Sequence, residues 1–254
     1  MTSLRVCVLG LGEAGARIAG DLAAAGASVA AWDPVVASAP DGVALAAGLE
    51  EAVAGADVVL SANAASVAVA VAREAAGALA GGAVFADLNA AAPATKADAA
   101  EAVAPALFAD VALLGPVPRR GVRTACLVSG SGAGAYAAWC ARFDVPVEVV
   151  PGEAGAASTR KLLRSVFTKG LAAAAIEALE AARAAGCEPW LRADIVATLE
   201  DADAALLTRL EEGSRAHARR RVDEMEAAAE LLRSLGVEPR VAEAAAARLR
   251  DLAD

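Results

Sequence analysis

Aromatic residues are scarce. One Tyr, three Trp and four Phe make up 3% of the 254 residues, and there is a single His. Together with heavy use of Ala, Gly and Arg, this reads as a compositional bias of the source and carries no functional message. Cysteine is sparse too. Cys7, Cys126, Cys140 and Cys187 stand far apart, without CxxC or Cys/His spacing, so no metal site is expected. Cys7 and Cys126 fall within strand-like runs, where a free thiol behaves as a small hydrophobe. Positive charge is in deficit: the formal net charge of −9 argues against nucleic acid or an anionic membrane surface as partner. No uninterrupted apolar span suits a membrane helix, and no signal-peptide pattern precedes the first strand-like run at Leu4, so a cytoplasmic location is expected. The hydrophobic fraction of 57% is dominated by Ala, which makes much of it helix-forming surface and little of it bulky core.

What is present is concentrated at the start. Leu4-Arg-Val-Cys-Val-Leu-Gly10-Leu11-Gly12-Glu13-Ala14-Gly15 joins an apolar run to a G-x-G-x-x-G turn, and Asp33 follows Gly15 by 18 residues. The spacing predicts a strand, a glycine turn, an amphipathic helix ending near Gly26, and a second strand over Ser28–Trp32 that delivers the acidic side chain. In a dinucleotide site Gly10 makes the tight turn and Gly12 lets the backbone approach a pyrophosphate. Gly15 allows the helix to pack closely, and the helix N-terminus offers free N–H groups to the phosphates. Gly10, Leu11, Gly12, Glu13, Ala14 and Gly15 are therefore the expected phosphate loop, with Asp33 accepting hydrogen bonds from the adenosine ribose. A carboxylate there repels a 2′-phosphate, and no basic residue occurs between Asp33 and Arg73. NAD is the expected cofactor, with NADP kept open.

Strand-like and helical segments then alternate: a helix at Leu49–Ala54, a strand at Asp57–Asn63, a helix capped by Ser66 and running to about Leu79, a strand at Ala83–Asp87, and a helix at Ala94–Val103. Strands at Leu107–Leu114 and Arg123–Val128, a helix at Ala133–Trp139 and a strand at Val145–Val150 complete the series. This is the signature of an α/β, Rossmann-type doubly wound sheet. From Pro151 onward β-branched runs stop and helical spacing takes over, which predicts a dinucleotide-binding domain over 1–152 and an all-α C-terminal domain over 153–254. A helical domain with so few large apolar groups calls for a partner surface, and a homodimer through it is expected.

At 100° per residue, Ser158, Lys161, Ser165, Thr168 and Lys169 share one side of the first helix after the boundary, with Leu162, Leu163, Val166, Phe167 and Leu171 on the other. Moving the hydroxyl proton that accompanies hydride transfer requires an acid–base group, and a lysine in a cleft suits that task. A solvated face is the alternative reading. Asn63 and Asn89 end predicted strands, where ligands of doubly wound sheets bind, though Asn is also a common turn residue.

The glycine turn, followed in this order and separation by Gly155-x5-Lys161, resembles the β-hydroxyacid dehydrogenases, such as the 3-hydroxyisobutyrate and 6-phosphogluconate types. Asp87-Leu-Asn89-x3-Pro93-Ala-Thr95-Lys96, Gly115-Pro-Val-Pro118 and Thr168-Lys169-Gly170 resemble the phosphogluconate-dehydrogenase-like branch with a DUF1932 C-terminal domain. The resemblance implies a Rossmann domain, a helical domain joined by a long helix, frequent dimers, Lys161 as the catalytic lysine, and the Asn89 loop near the nicotinamide. Two departures stand out: Leu114 replaces the serine that holds the substrate carboxylate in the family, and Ser165 replaces an Asn after the lysine. The late segment around His217 resembles a branch pattern in which a helix closes over the active site. Asp223-Glu224 stands where the wider family has a cofactor-holding Lys-Asp pair, so that role does not carry over. The expected activity interconverts a small hydroxy acid or related polar alcohol with its carbonyl. Lys161, Ser165 and Asn89 form its catalytic group, and Gly115, Pro116, Arg119, Lys169 and His217 face the substrate. Imine reduction and a non-catalytic dinucleotide-binding or redox-sensing role are the alternatives.

Overall fold

A computed structural model describes residues 4–253. The first part is laid out as β1 (Arg5–Leu9), α1 (Glu13–Ala24), β2 (Ser28–Trp32), β3 (Val43–Leu45), α2 (Leu49–Val53), β4 (Val58–Ser61) and α3 (Ala68–Ala76). It continues through β5 (Val84–Asp87), α4 (Pro93–Val103), β6 (Leu107–Leu113), α5 (Val117–Arg120), β7 (Cys126–Ser129), α6 (Ala133–Cys140) and β8 (Val147–Val149). Five helices follow: α7 (Ala156–Ala184), α8 (Glu188–Glu200), α9 (Ala204–Ala216), α10 (Ala218–Ser234) and α11 (Arg240–Arg250). The strands form one sheet in the order β3-β2-β1-β4-β5-β6-β7-β8, parallel except between β6 and β7. The strand order reverses between β1 and β4, the place where open α/β sheets bind ligands beyond the strand C-termini.

Alternation along buried strands builds two cores. Val6 and Val8 of β1, Val58 and Leu60 of β4, and Val84 and Ala86 of β5 face α1 and α6, meeting Ile18, Leu22, Tyr136 and Trp139. The intervening Cys7, Leu9, Val59 and Phe85 face the other way, onto Leu49, Val53, Ala72, Ala99 and Val103 of α2, α3 and α4. Both faces are covered, which is why these strands read as nearly continuous apolar runs.

The expected α/β architecture and the all-helical C-terminal part are both present. Several local expectations are corrected. Ser66 does not cap a helix: it lies within a 3₁₀ turn, Ala65–Val67, and α3 starts only at Ala68, without a side-chain cap, ending at Ala76. The seventh strand begins at Cys126 because Gly121–Arg123 is a 3₁₀ turn, closed by the Thr124 Oγ1–H bond to the Gly121 carbonyl. The eighth strand is shorter than expected, and β3 and α5 lie in stretches read as loop.

The chain divides into two compact units between Arg164 and Ser165, within α7. In the second unit α10 and α11 pack on each other through Val222, Ala229, Leu232, Ala242 and Ala246. The Glu177 carboxylate accepts the first-turn N–H groups of Val241 and Ala242, at 2.7 and 2.9 Å. No helix among the described residues is long and apolar enough to cross a membrane.

Candidate active site

The glycine turn is built as its motif requires. Gly10 has φ +99°, and a Cβ there would lie 2.5 Å from the Ala62 carbonyl oxygen beyond β4. A Cβ on Gly15 would stand 1.9 Å from the Gly10 carbonyl oxygen, so only glycine lets α1 close onto the turn. Gly12 differs: a Cβ there meets nothing within 4 Å. Gly12 precedes the first turn of α1, where no side chain caps the N–H groups. The space a side chain at Gly12 would fill is therefore what an approaching pyrophosphate needs, and the residues fit a dinucleotide.

Asp33 stands just beyond β2. Its Oδ2 accepts Leu11 N–H at 2.8 Å, while Oδ1 accepts Val35 and Val36 N–H at 2.9 and 3.0 Å. Partial burial pushes this carboxyl up, but the three N–H donors outweigh it and hold it below the usual carboxylate range. Ionised, with lone pairs left on Oδ2, it can still accept a ribose hydroxyl.

At the ends of β4 and β5 the two expected asparagines meet. Asn89 Nδ2 donates to Asn63 Oδ1 at 3.0 Å and to Ser61 Oγ at 3.3 Å, and Asn63 Nδ2 donates to Ser61 Oγ at 3.1 Å. Asn89 is buried, and its Oδ1 has no hydrogen-bond partner among the described residues. An acceptor so placed suits a donor on a ligand.

Beneath Asn89 lies an ionic cluster that the sequence reading missed. Val84-Phe-Ala-Asp87 and Leu107-Phe-Ala-Asp110 pair in register, Phe85 opposite Phe108 and Asp87 opposite Asp110. The rings stack at 6.2 Å and the carboxylates fall side by side, fully buried. Lys96 of α4, itself 0% exposed, reaches in between them. Its Nζ donates to the Asp87 carbonyl oxygen at 2.7 Å and lies 3.3 Å from Asp87 Oδ2 and 3.4 Å from Asp110 Oδ1. Burial pushes the Asp87 carboxyl up, further than the Lys96 ammonium and the Asn89 N–H pull it down. Asp110 also gathers the start of α7, accepting Gly155 N–H and Ser158 N–H at 3.0 Å and Ser158 Oγ–H at 2.6 Å. Ser129 Oγ donates to Asp110 Oδ2 and accepts Ala157 N–H. The signal available in the sequence was the repeated Phe-Ala-Asp triplet, two buried acids in want of a cation.

Lys161 stands on α7 one turn after Ser158, half-buried. Ser165 and Lys169 follow on the same helix, half-buried and exposed. Leu162, Leu163, Val166, Phe167 and Leu171, read as the apolar side, are between 41% and 74% exposed. Gly115, Pro116 and Arg119 come together with Leu114, Arg120 and Ala125 around a cavity of about 390 Å³. His217 is exposed at the break between α9 and α10, in the second unit.

A doubly wound sheet with a glycine-turn dinucleotide cradle and an all-α C-terminal part defines a nicotinamide-cofactor-binding class of protein. Residues 5–118 match the NAD binding domain of 6-phosphogluconate dehydrogenase, and residues 182–252 match the domain of unknown function DUF1932. A conserved hypothetical protein from Sinorhizobium meliloti 1021 is 32% identical, over 98% of this chain and 88% of that one, with a TM-score of 0.64. A conserved protein of unknown function, described as structurally similar to 3-hydroxyacid dehydrogenases, is 28% identical over 98% of both chains, with a TM-score of 0.63. A reductive aminase from Aspergillus terreus, in complex with NADPH and ethyl-5-oxohexanoate, shares the fold: TM-score 0.78, 21% identity, 98% of this chain and 93% of that one. An uncharacterized 28.5 kDa protein of Methanothermus fervidus is 32% identical over 145 residues, 56% of this chain. The matched stretch spans about half the length of that curated relative, 55%. The chain thus joins an NAD binding domain of the 6-phosphogluconate dehydrogenase kind to a DUF1932 domain, and it belongs to one family with the Sinorhizobium protein.

Proposed function

We propose that this protein is an NAD-preferring oxidoreductase that interconverts a small hydroxy acid, or a related polar alcohol, with its carbonyl. The observation that carries this reading is the Asp110 clamp. It starts the helix bearing Lys161 directly from strands whose ends also carry Asn89 and Asn63. A bound nicotinamide would supply or accept the hydride. Lys161 Nζ takes the hydroxyl proton as a neutral amine and returns it as an ammonium. Asn89 Oδ1 accepts a hydrogen bond from the ligand donor above it, and Ser165, one turn on from Lys161, orients the reacting group. Leu114 stands where the family holds the substrate carboxylate with serine. Arg119, beside Gly115 and Pro116 at the 390 Å³ cavity, supplies the anion contact in its place. Asp33 disfavours a 2′-phosphate, which sets the preference for NAD.

The test is nicotinamide absorbance with the purified protein across 3-hydroxy acids, aldonates, sugar phosphates, short aldehydes and cyclic imines, with NAD(H) and NADP(H) in parallel. Turnover of a hydroxy acid with NAD is the expected result. Turnover of imines alone would transfer the protein to the imine-reducing reading.

We also propose a homodimer through the helical part. α8 and α9 bury none of their residues, although Trp190, Val196, Leu199, Leu207 and Leu210 are apolar and between 47% and 67% exposed. Helices of 13 residues are marginal alone in water, and a second copy brings the same unpaired apolar faces as a match.

A further inference from the structure

We infer that Lys96 is a positioning residue of the active site, its ammonium fixing the separation between the Asn89 loop and the first turn of the Lys161 helix. The inference rests on the functional reading above for the roles of Asn89 and Lys161, but the tether itself stands on geometry.

One arm runs to Asn89. Lys96 Nζ holds the carbonyl oxygen of Asp87 at 2.7 Å and its Oδ2 at 3.3 Å, while Asp87 Oδ1 accepts the Asn89 N–H at 2.9 Å. Both the backbone and the side chain of the residue that turns the chain into Asn89 are thus fastened to one ammonium. The other arm runs to α7. Asp110 Oδ1, 3.4 Å from Nζ, receives the Ser158 hydroxyl, and Oδ2 receives the N–H groups of Gly155 and Ser158. Two carboxylates facing each other on adjacent strands repel, and the cation between them converts repulsion into a bridge. The remaining negative charge sits at the N-terminus of a 29-residue helix, where the backbone dipole favours it.

Lys96 is sealed from solvent and so touches no substrate; its effect passes through Asn89 and α7. Asn89 Oδ1 is a buried acceptor without a hydrogen-bond partner among the described residues, so a drift of the loop moves the group that meets the ligand. Catalytic geometry is sensitive at that scale, a misplacement of about 1 Å costing on the order of 100-fold in rate.

The experiment compares NAD⁺ with ADP-ribose, which shares the adenosine, pyrophosphate and ribose but lacks the nicotinamide. Binding is measured calorimetrically on wild type, Lys96→Gln and the double variant Asp87→Asn/Lys96→Met. The double variant removes one charge of each sign, so the cluster keeps its net charge and a folded protein is expected even where Lys96→Met alone fails. The tether predicts a cooperative melt, ADP-ribose affinity within about twofold of wild type, and NAD⁺ affinity lower by about fivefold or more, with Lys96→Gln intermediate. With a substrate from the absorbance panel, the loss falls on kcat more than on KM. Equal weakening of both ligands, or unchanged affinity and kcat in a folded double variant, overturns the inference. Wild-type protein that binds neither ligand overturns the functional reading, and the inference with it.

Discussion

The two units of this chain reach order by different means. In the first, every strand from β1 to β7 except the edge strand β3 contributes buried residues, and apolar cores lie on both faces of the sheet. Beside surface pairs such as Arg17–Asp21 it also holds an ionic cluster inside, with Asp87, Lys96 and Asp110 fully buried. In the second, α10 and α11 bury only a stripe, α8 and α9 bury nothing, and the ion pairs sit at the surface, as between Arg183 and Glu188 or Arg250 and Glu226. The physical lesson concerns composition. Alanine fills the narrow gap between a helix and a sheet, where strands supply Val, Leu and Phe. A bundle made chiefly of Ala, Glu and Arg has no such complement and leaves its few large apolar groups outward. The first unit encloses its polar cluster in packed cores; the second leaves large apolar groups exposed, as the proposed dimer requires.

The largest expected effect that would break this contrast is in the first unit. Lys96→Met leaves two buried carboxylates without their cation and should cost about 3–5 kcal/mol of stability in urea unfolding. Glu226→Gln, which removes a partner of an exposed Arg250 pair in the second unit, should produce no resolvable change. Comparable losses at both places would erase the distinction.

Next come the glycines of the cofactor turn. Gly15→Ala forces a Cβ against the Gly10 carbonyl and should destabilise the first unit by about 1–3 kcal/mol. Gly12→Ala projects into open space, so its melting temperature should stay near wild type while NAD affinity falls at least about tenfold. Calorimetric binding beside thermal melts separates the two.

The covering of the second unit is tested by Trp190→Ser combined with Leu207→Ser. Sedimentation at micromolar concentration should show wild type as a dimer and the variant as a monomer with reduced helicity. A wild-type monomer with full helicity would show that these helices need no cover.

Smallest is a chemical contrast among the thiols. Burial pushes Cys7, Cys126 and Cys140 up to about 12, whereas Cys187 is exposed. Brief iodoacetamide treatment of native protein at pH 8 should alkylate Cys187 and spare the other three, as read by peptide mass spectrometry. Acid provides a related check. The folded Asp33 carboxyl lies below its ordinary value of 3.8, so its contribution to stability is present above that value and is lost as pH falls through the folded one. Asp33→Asn should flatten that part of the acid-unfolding curve.

Much of the fold was legible because its signals are local. Ser28–Trp32 was placed to the residue, and β1, β4, β5 and β6 within a residue or two, because apolar runs end at Gly10, Asn63, Asn89 and Leu114. β3 escaped because it is a three-residue edge strand, largely exposed, whose short Val43-Ala-Leu45 run sits in an Ala-, Pro- and Gly-rich stretch. The cofactor turn was legible for the same local reason. The ionic cluster was not, because Lys96 in an Ala-rich helix looks like any surface lysine until strand register puts Asp87 beside Asp110. The exposure of the apolar side of α7 was not legible, because periodicity groups residues by face without saying whether anything lies against that face.

The measurement that bears most directly on the account is made on Lys161→Met. NAD affinity is determined by calorimetry, and turnover is followed by nicotinamide absorbance on the best hydroxy-acid substrate found for wild type. With Lys161 as the proton-transfer group, the variant should keep NAD affinity within about twofold and lose turnover by at least about 100-fold. Turnover near the wild-type rate in a folded, NAD-binding Lys161→Met protein would contradict that role.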